Sequence, residues 1–162
     1  MKTVSKINQV LCKAEGFIMV VWFALVIIVM TAQVIARYVF GSPIQWSEEF
    51  ARYSFVWISY LGCAYCVGAD GHTSITALKE RLSEKGQKVL TIVGNIIMIG
   101  VFLRLMPIAI DYIAKNGDFL TSIMRIPFKY LYFSLPVGIG LSIIQLVMKV
   151  ILVFDHSVAT NA

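Results

Sequence analysis

Two cysteines three residues apart, Cys63-Ala64-Tyr65-Cys66, are the clearest candidates for covalent chemistry in this sequence. A C-x-x-C pair with one acidified thiol can work as a redox dithiol. A membrane thiol oxidase of four helices also needs a second pair to relay electrons, and Cys12 is the one cysteine left to supply it. The plainer reading takes both thiols as small side chains packed in the interior, as free cysteines commonly are. The histidines are His72 and His156, neither within an apolar stretch, and no H-x-x-x-H spacing occurs. A haem-carrying bundle needs histidines projecting from its spans, so that class is excluded. No P-loop and no Gly-rich dinucleotide fingerprint is present. No catalytic, metal-binding or cofactor-binding residue is therefore expected in this chain.

The remaining concentration of polar chemistry runs from Arg37 to Arg52, through Pro43, Trp46, Ser47, Glu48 and Glu49. Gly41 is placed to end one helix. Ser42 as N-cap, Pro43 at the first helical position and Gln45 closing a capping box would start the next. On that helix Trp46, Glu49, Tyr53 and Trp57 share one side, while Glu48, Arg52, Phe55 and Ser59 share the other. Glu48 and Arg52 stand four apart with the acid first, the favourable order for an ion pair. Arg37, Trp46, Glu48, Glu49, Arg52, Tyr53 and Trp57 are the candidate structural or partner-interface residues.

The elements that must position them are set by composition. Of 162 residues, 59% are hydrophobic and 14% charged, and the mean hydropathy is +0.80. Soluble domains carry about 25% charged residues, so a water-soluble enzyme and a disordered chain are both excluded. Uncharged stretches of 21, 17, 15 and 19 residues follow Glu15, Arg52, Lys88 and Lys129. A bilayer core needs roughly 20 helical residues. The expected fold is an all-α integral membrane protein, one domain over residues 1–162 with spans near 16–36, 43–69, 89–110 and 130–152. The second span would run about 40 Å and emerge from the hydrocarbon by two turns. The first stretch is too long for a signal-peptide core and lacks an A-x-A-like cleavage site, so it is expected to be retained.

Between the second and third spans, Ser74 can cap a short helix over about 74–85, with Ile75, Leu78 and Leu82 as an apolar stripe. That is the pattern of a helix lying in the membrane interface. The connection at 111–129 reads as irregular, with Asn116-Gly117-Asp118 as a turn. Ser134, Gly138 and Ser142, four apart, form a small-residue face for close helix packing. Asn95, Gln33 and Gln145 are the strongest polar side chains in the spans and are expected to hydrogen-bond between helices. Arg104 is expected to snorkel from the far end of its span. The formal net charge of +5 lies in short connections rather than in a nucleic-acid patch. With four spans, eight basic residues fall on the side of the termini and six opposite. The dense clusters at the N-terminus and at 70–88 favour cytoplasmic termini.

The motif Arg37-Tyr38-x-Phe40-x-x-Pro43-x-x-Trp46-Ser47-Glu48-Glu49-x-x-Arg52 closely resembles the signature of the small membrane subunit of TRAP transporters, the tripartite ATP-independent periplasmic family (DctQ-like). Trp57-x-x-Tyr60-Leu61-Gly62-x-Ala64 followed by His72 looks like its continuation, as do Ile126-Pro127 and Leu135-Pro136-Val137-Gly138. The resemblance spans about residues 15–150. It departs at Gly68-Ala69-Asp70-Gly71, where the family often has a basic residue, which leaves His72 without an assigned role.

The resemblance implies a scaffold subunit in the bacterial inner membrane. A periplasmic substrate-binding protein would capture an organic acid, such as a C4-dicarboxylate or a sugar acid like sialic acid. A large membrane subunit, where the sodium ions are expected, would move it. This chain would brace that subunit within the membrane lipid, widen the docking platform and not transport alone. Two alternatives stay open at this point: a four-helix thiol-redox protein, and a stand-alone homo-oligomeric channel or exporter.

Overall fold

The computed structural model describes residues 2–69 and 84–159. The helix expected at 74–85 and His72 lie essentially outside them. The elements are α1 (Lys2–Val39), α2 (Ser47–Gly68), α3 (Glu84–Asn116), a single turn α4 (Lys129–Tyr132) and α5 (Ser134–Ala159). The protein is an all-α membrane protein. Among the described residues, three stretches are long and apolar enough to cross a bilayer: Lys6–Val39, Val89–Asn116 and Lys129–Ile151. The fourth long helix, α2, carries Glu48, Glu49 and Arg52 in its first turns, which dilutes its apolar length.

α1 has 38 residues, about 57 Å at 1.5 Å per residue. Gly41 stops it by adopting φ +64, a left-handed conformation that only glycine takes without steric cost. Ser42 N–H then donates back to the Ala36 carbonyl at 3.2 Å. The expected start of α2 at Pro43 is corrected here. The helix begins at Ser47, with Trp46 at the N-cap position and no side-chain cap. The capping box of Ser42 and Gln45 does not form. The chain is instead tied from below, because Gln33 Oε1 accepts the Ile44 N–H and Ser47 Oγ donates to the Ile44 carbonyl at 2.7 Å.

α1 and α2 run antiparallel, with a run of matched contacts along their length. Trp22 stacks on Trp57 at 5.9 Å, and Asn8 donates to the Gly68 carbonyl at 3.4 Å. Between them Met19 faces Gly62 and Gly16 faces Tyr65. α2 and α5 run parallel. Gly138 abuts Tyr60, and Gln145 abuts Gly68. A Cβ at Gly138 would lie 2.9 Å from both the Cβ and the carbonyl oxygen of Tyr60, so these backbones meet closely only because the side chain is missing. Ser134 and Ser142 are buried on either side of it, each 1% exposed. Their hydroxyls donate to the Leu131 and Gly138 carbonyls, which pairs both serines within the seam. α3 packs on α5 and the α4 turn. Among its described side chains only Ala109 is buried.

The stretch expected to span from 130 onward is long and apolar enough to do so as Lys129–Ile151, with a one-residue break at Phe133. The α4 turn ends at Tyr132, and α5 begins at Ser134, with Pro136 in its first turn, where its missing N–H costs no helical bond. The two cysteines of the C-x-x-C are free and exposed on the outer side of α2, not packed in the interior as expected. They share their stripe with Arg52, Phe55 and Ser59.

Candidate functional site

The polar motif of the α1–α2 connection converges on one carboxylate. Glu49, in the first turn of α2, is 7% exposed. Its Oε1 accepts from the Tyr53 hydroxyl at 2.8 Å and from the Ser122 N–H at 3.1 Å. Its Oε2 accepts from the N–H groups of Ile123 at 3.2 Å and Met124 at 2.6 Å. Three successive backbone donors therefore point at one anion, an arrangement that suits a full negative charge. Burial pushes the Glu49 carboxyl up, but the hydrogen bonds from Met124, Tyr53, Ile123 and Ser122 together outweigh it and hold the group below the ordinary glutamate value. Burial, and then the Glu49 carboxylate accepting its proton, push Tyr53 up to about 12. The phenol stays a donor at any physiological pH.

The loop presenting those donors has no regular helix or strand, as expected from sequence, and turns at Gly117-Asp118, but its own hydrogen bonds order it. Thr121 N–H donates to the Ile126 carbonyl at 3.0 Å, Phe128 N–H to Phe119 at 2.8 Å and Lys129 N–H to Gly117 at 2.9 Å. The Ile126 N–H donates to Thr121 Oγ1 at 3.0 Å. Residues 117–129 thus form a pinched hairpin-like loop whose tip turns through Arg125 at φ 51. Trp57 ties the far side down, its Nε1 donating to the Tyr130 carbonyl at 3.1 Å. Under the loop lies an apolar cleft of about 170 Å³ bordered by Trp22, Phe50, Tyr53, Trp57, Met124 and Tyr130.

The sequence-selected residues separate into two groups. Glu49, Tyr53 and Trp57 belong to this latch, and Trp46 flanks it, 44% exposed and edge-on to Phe50 at 6.0 Å. Arg37, Glu48 and Arg52 are exposed. The expected Glu48–Arg52 ion pair is absent: the ion pairs among the described residues are Lys115–Asp111 and Lys129–Asp118. Thr121 and the three loop donors were not singled out from sequence, because backbone N–H groups carry no residue-type signal.

A second polar cluster sits at the other end of the bundle. Gln145, fully buried, donates through Nε2 to both oxygens of Glu15 at 2.8 Å. Glu15 is 5% exposed. Asn8, Cys12 and Glu15 follow helical spacing on one face of α1, toward Gly68 and Gln145. Gln145 thus makes the interhelical bond expected of it, while Gln33 serves the connection instead. Asn95 makes no hydrogen bond among the described residues. No group of three or more His, Cys, Asp or Glu residues that could hold a metal occurs among the described residues.

Comparison with known proteins gives these features a context. The family described as tripartite ATP-independent periplasmic transporters, DctQ component, matches residues 26–156. The sialic acid TRAP transporter small permease protein of Vibrio cholerae is 26% identical over 132 residues, covering 82% of this chain and 76% of that protein. The sialic acid TRAP transporter permease protein SiaT of Haemophilus influenzae is 36% identical over 76 residues, 46% of this chain but 12% of that protein. The isethionate TRAP transporter permease protein DctMQ of Oleidesulfovibrio alaskensis is 23% identical over 129 residues, 75% of this chain and 20% of that protein.

Proposed function

The chain belongs to the DctQ component family of tripartite ATP-independent periplasmic transporters, a transporter component and not an enzyme, and we propose that it is the small scaffold subunit bracing a large transport subunit. The observation carrying this reading is the latch. The family motif's most buried acid, Glu49, has both oxygens engaged by its own chain. It therefore shapes the end of a bundle and is not free to bind an ion or a solute. The buried acid at the opposite end, Glu15, is likewise held by Gln145. The large relatives support the partner, since in them the matching stretch is a minor part of one long permease polypeptide.

On this reading, residues 1–162 act as one inner-membrane domain. A periplasmic binding protein delivers an organic acid to the large subunit. Two relatives are named for sialic acid, which supports a sugar acid, and one for isethionate; a C4-dicarboxylate is the alternative organic acid, and import is coupled to sodium on the large subunit. Purified alone in liposomes under a sodium gradient, this chain takes up no organic acid. Adding the large subunit and the binding protein produces sodium-dependent uptake. Robust uptake by the chain alone would overturn the scaffold reading.

A further inference from the structure

α3 presents an unpartnered arginine to the membrane. Between the charges of Lys88 and Asp111 lie 22 residues, about 33 Å of helix, which matches a hydrocarbon core of about 30 Å. Arg104 falls seven residues inside the Asp111 end, about 10 Å deep. It is exposed and takes part in no ion pair among the described residues. The face of α3 that meets the bundle carries Phe102, Met106 and the 4%-exposed Ala109, with Met106 reaching Gly140 of α5. At 100° per residue Arg104 points about 160° away from Phe102 and Met106. It shares its outward stripe with Ile97, Gly100, Val101 and Ile108, the three large ones 52–61% exposed.

Snorkelling, the reading made from sequence, fits this geometry poorly. The Cα–Cβ bond of a helical residue tilts toward the helix N-terminus, which here is toward the middle of the membrane and away from the nearer surface. The same turn holds a second unmet group. Pro107 lies inside α3 and brings no N–H for the Leu103 carbonyl, and Leu103 is 58% exposed. Lipid tails offer neither an acceptor for a guanidinium nor a donor for a freed carbonyl, whereas a neighbouring helix supplies both. Intramembrane arginines face protein or water and pair with acids. A second copy of this chain is a poor match, because a two-fold contact on this stripe would set Arg104 against Arg104, and the acid on the stripe, Asp111, is already held by Lys115 at 2.7 Å.

We propose that the outer face of α3 is where the large transport subunit packs, and that it brings a carboxylate to the depth of Arg104. This rests on the scaffold reading above. The open space around Gly100, where a Cβ would meet nothing within 4 Å, gives the partner helix room to approach one turn deeper.

The test uses the complete two-subunit membrane complex. A photo-crosslinking amino acid is placed at Ile97, Val101 or Ile108, and Arg104→Ala, Arg104→Leu and Arg104→Glu are scored for co-purification with the large subunit. Adducts with the large subunit are expected at all three positions. Arg104→Glu is expected to reduce co-purification roughly thirtyfold or more, and a carboxylate-to-Lys change in the large subunit should restore it. Size exclusion of each variant alone separates lost docking from lost folding, and the crosslinks are read with Arg104 intact. If the wild-type subunits co-purify while the three positions label only lipid or a second copy of this chain, and the Arg104 variants assemble normally, the α3 docking face is wrong and the scaffold reading survives. If the wild-type subunits never co-purify, both fall.

Discussion

With both oxygens of Glu49 engaged by three successive N–H groups and the Tyr53 hydroxyl, the loop tip at 122–124 depends on a single side chain. Glu49→Ala leaves those donors without their shared acceptor in a partly buried place. The expected loss is about 3 kcal/mol, the scale of charge-assisted bonds removed together with stranded donors. Tyr53→Phe removes one bond and should cost about 1 kcal/mol. Thermal unfolding of the purified subunit in detergent reads both, and near-equal losses would show that the carboxylate is not the centre of the latch. The pH dependence follows from the same contacts. Because folding holds the Glu49 pKa below its ordinary value of 4.5, its contribution is fully present above that value and is lost as pH falls through the lower, folded one. Wild type should therefore lose stability relative to Glu49→Gln on acidification below about pH 4.5. A constant difference between the two proteins across that window would contradict the assignment.

At the scale of elements, the parallel α2–α5 seam is the contact least tolerant of added volume. Gly138→Val should force the helices apart and cost about 1–3 kcal/mol or more, the usual price of overpacking. Gly140→Ala, where the nearest atom to the new Cβ is Met106 Cε at 3.9 Å, should be neutral or slightly stabilising through better helix propensity. Unfolding temperatures in detergent check the pair, and equal tolerance at both sites would mean the seam is loose. The small-residue spacing of 134, 138 and 142 was written in the sequence; Gly138 abuts Tyr60 of α2, and Ser134 and Ser142 are buried. Uncharged stretches likewise located the apolar helices. What could not be read was anything made by the backbone. The start of α2 depends on Gln33 reaching the Ile44 N–H, and that donor has no residue-type signature. The Ser122–Met124 donors that receive Glu49 are equally silent. The faces of α2 were visible, but not which was covered. The acid beside Trp46 turned inward, and the Glu48–Arg52 side turned out, because the loop that covers Glu49 comes from more than 70 residues away.

Across the whole molecule, helix direction sorts the polar features to opposite ends. α1 and α3 run one way, and α2 and α5 run the other. The Gln33–Ile44 tie and the Glu49 latch therefore share one end of the bundle. Asn8, Gly68 and the Glu15–Gln145 pair lie toward the other, with the starts of α1 and α3 and the later turns of α5. The basic residues Lys2, Lys6, Lys13, Lys85 and Lys88 occur on the second side in sequence, which the positive-inside rule sends to the cytoplasm. The latch end carries Arg37, Arg52, Lys115, Arg125 and Lys129 as well; with Lys79, Arg81 and Lys149 assigned by sequence to the side of the termini and Arg104 to the latch side, the count is eight against six, a small imbalance that makes orientation a property to measure. The expectation is cytoplasmic termini and a periplasmic latch. A reporter active only in the cytoplasm should work when fused after Ala162, and one active only in the periplasm should work when inserted between Phe119 and Leu120, both exposed. The reverse pattern would put the latch in the cytoplasm. Neither the exposed Trp46 nor the aromatic residues Tyr38 and Phe40, 80% and 75% exposed beside it, could then meet a periplasmic binding protein. The proposed packing of a membrane partner on α3 would be unaffected, but the proposed docking of a binding protein at the latch end would be ruled out.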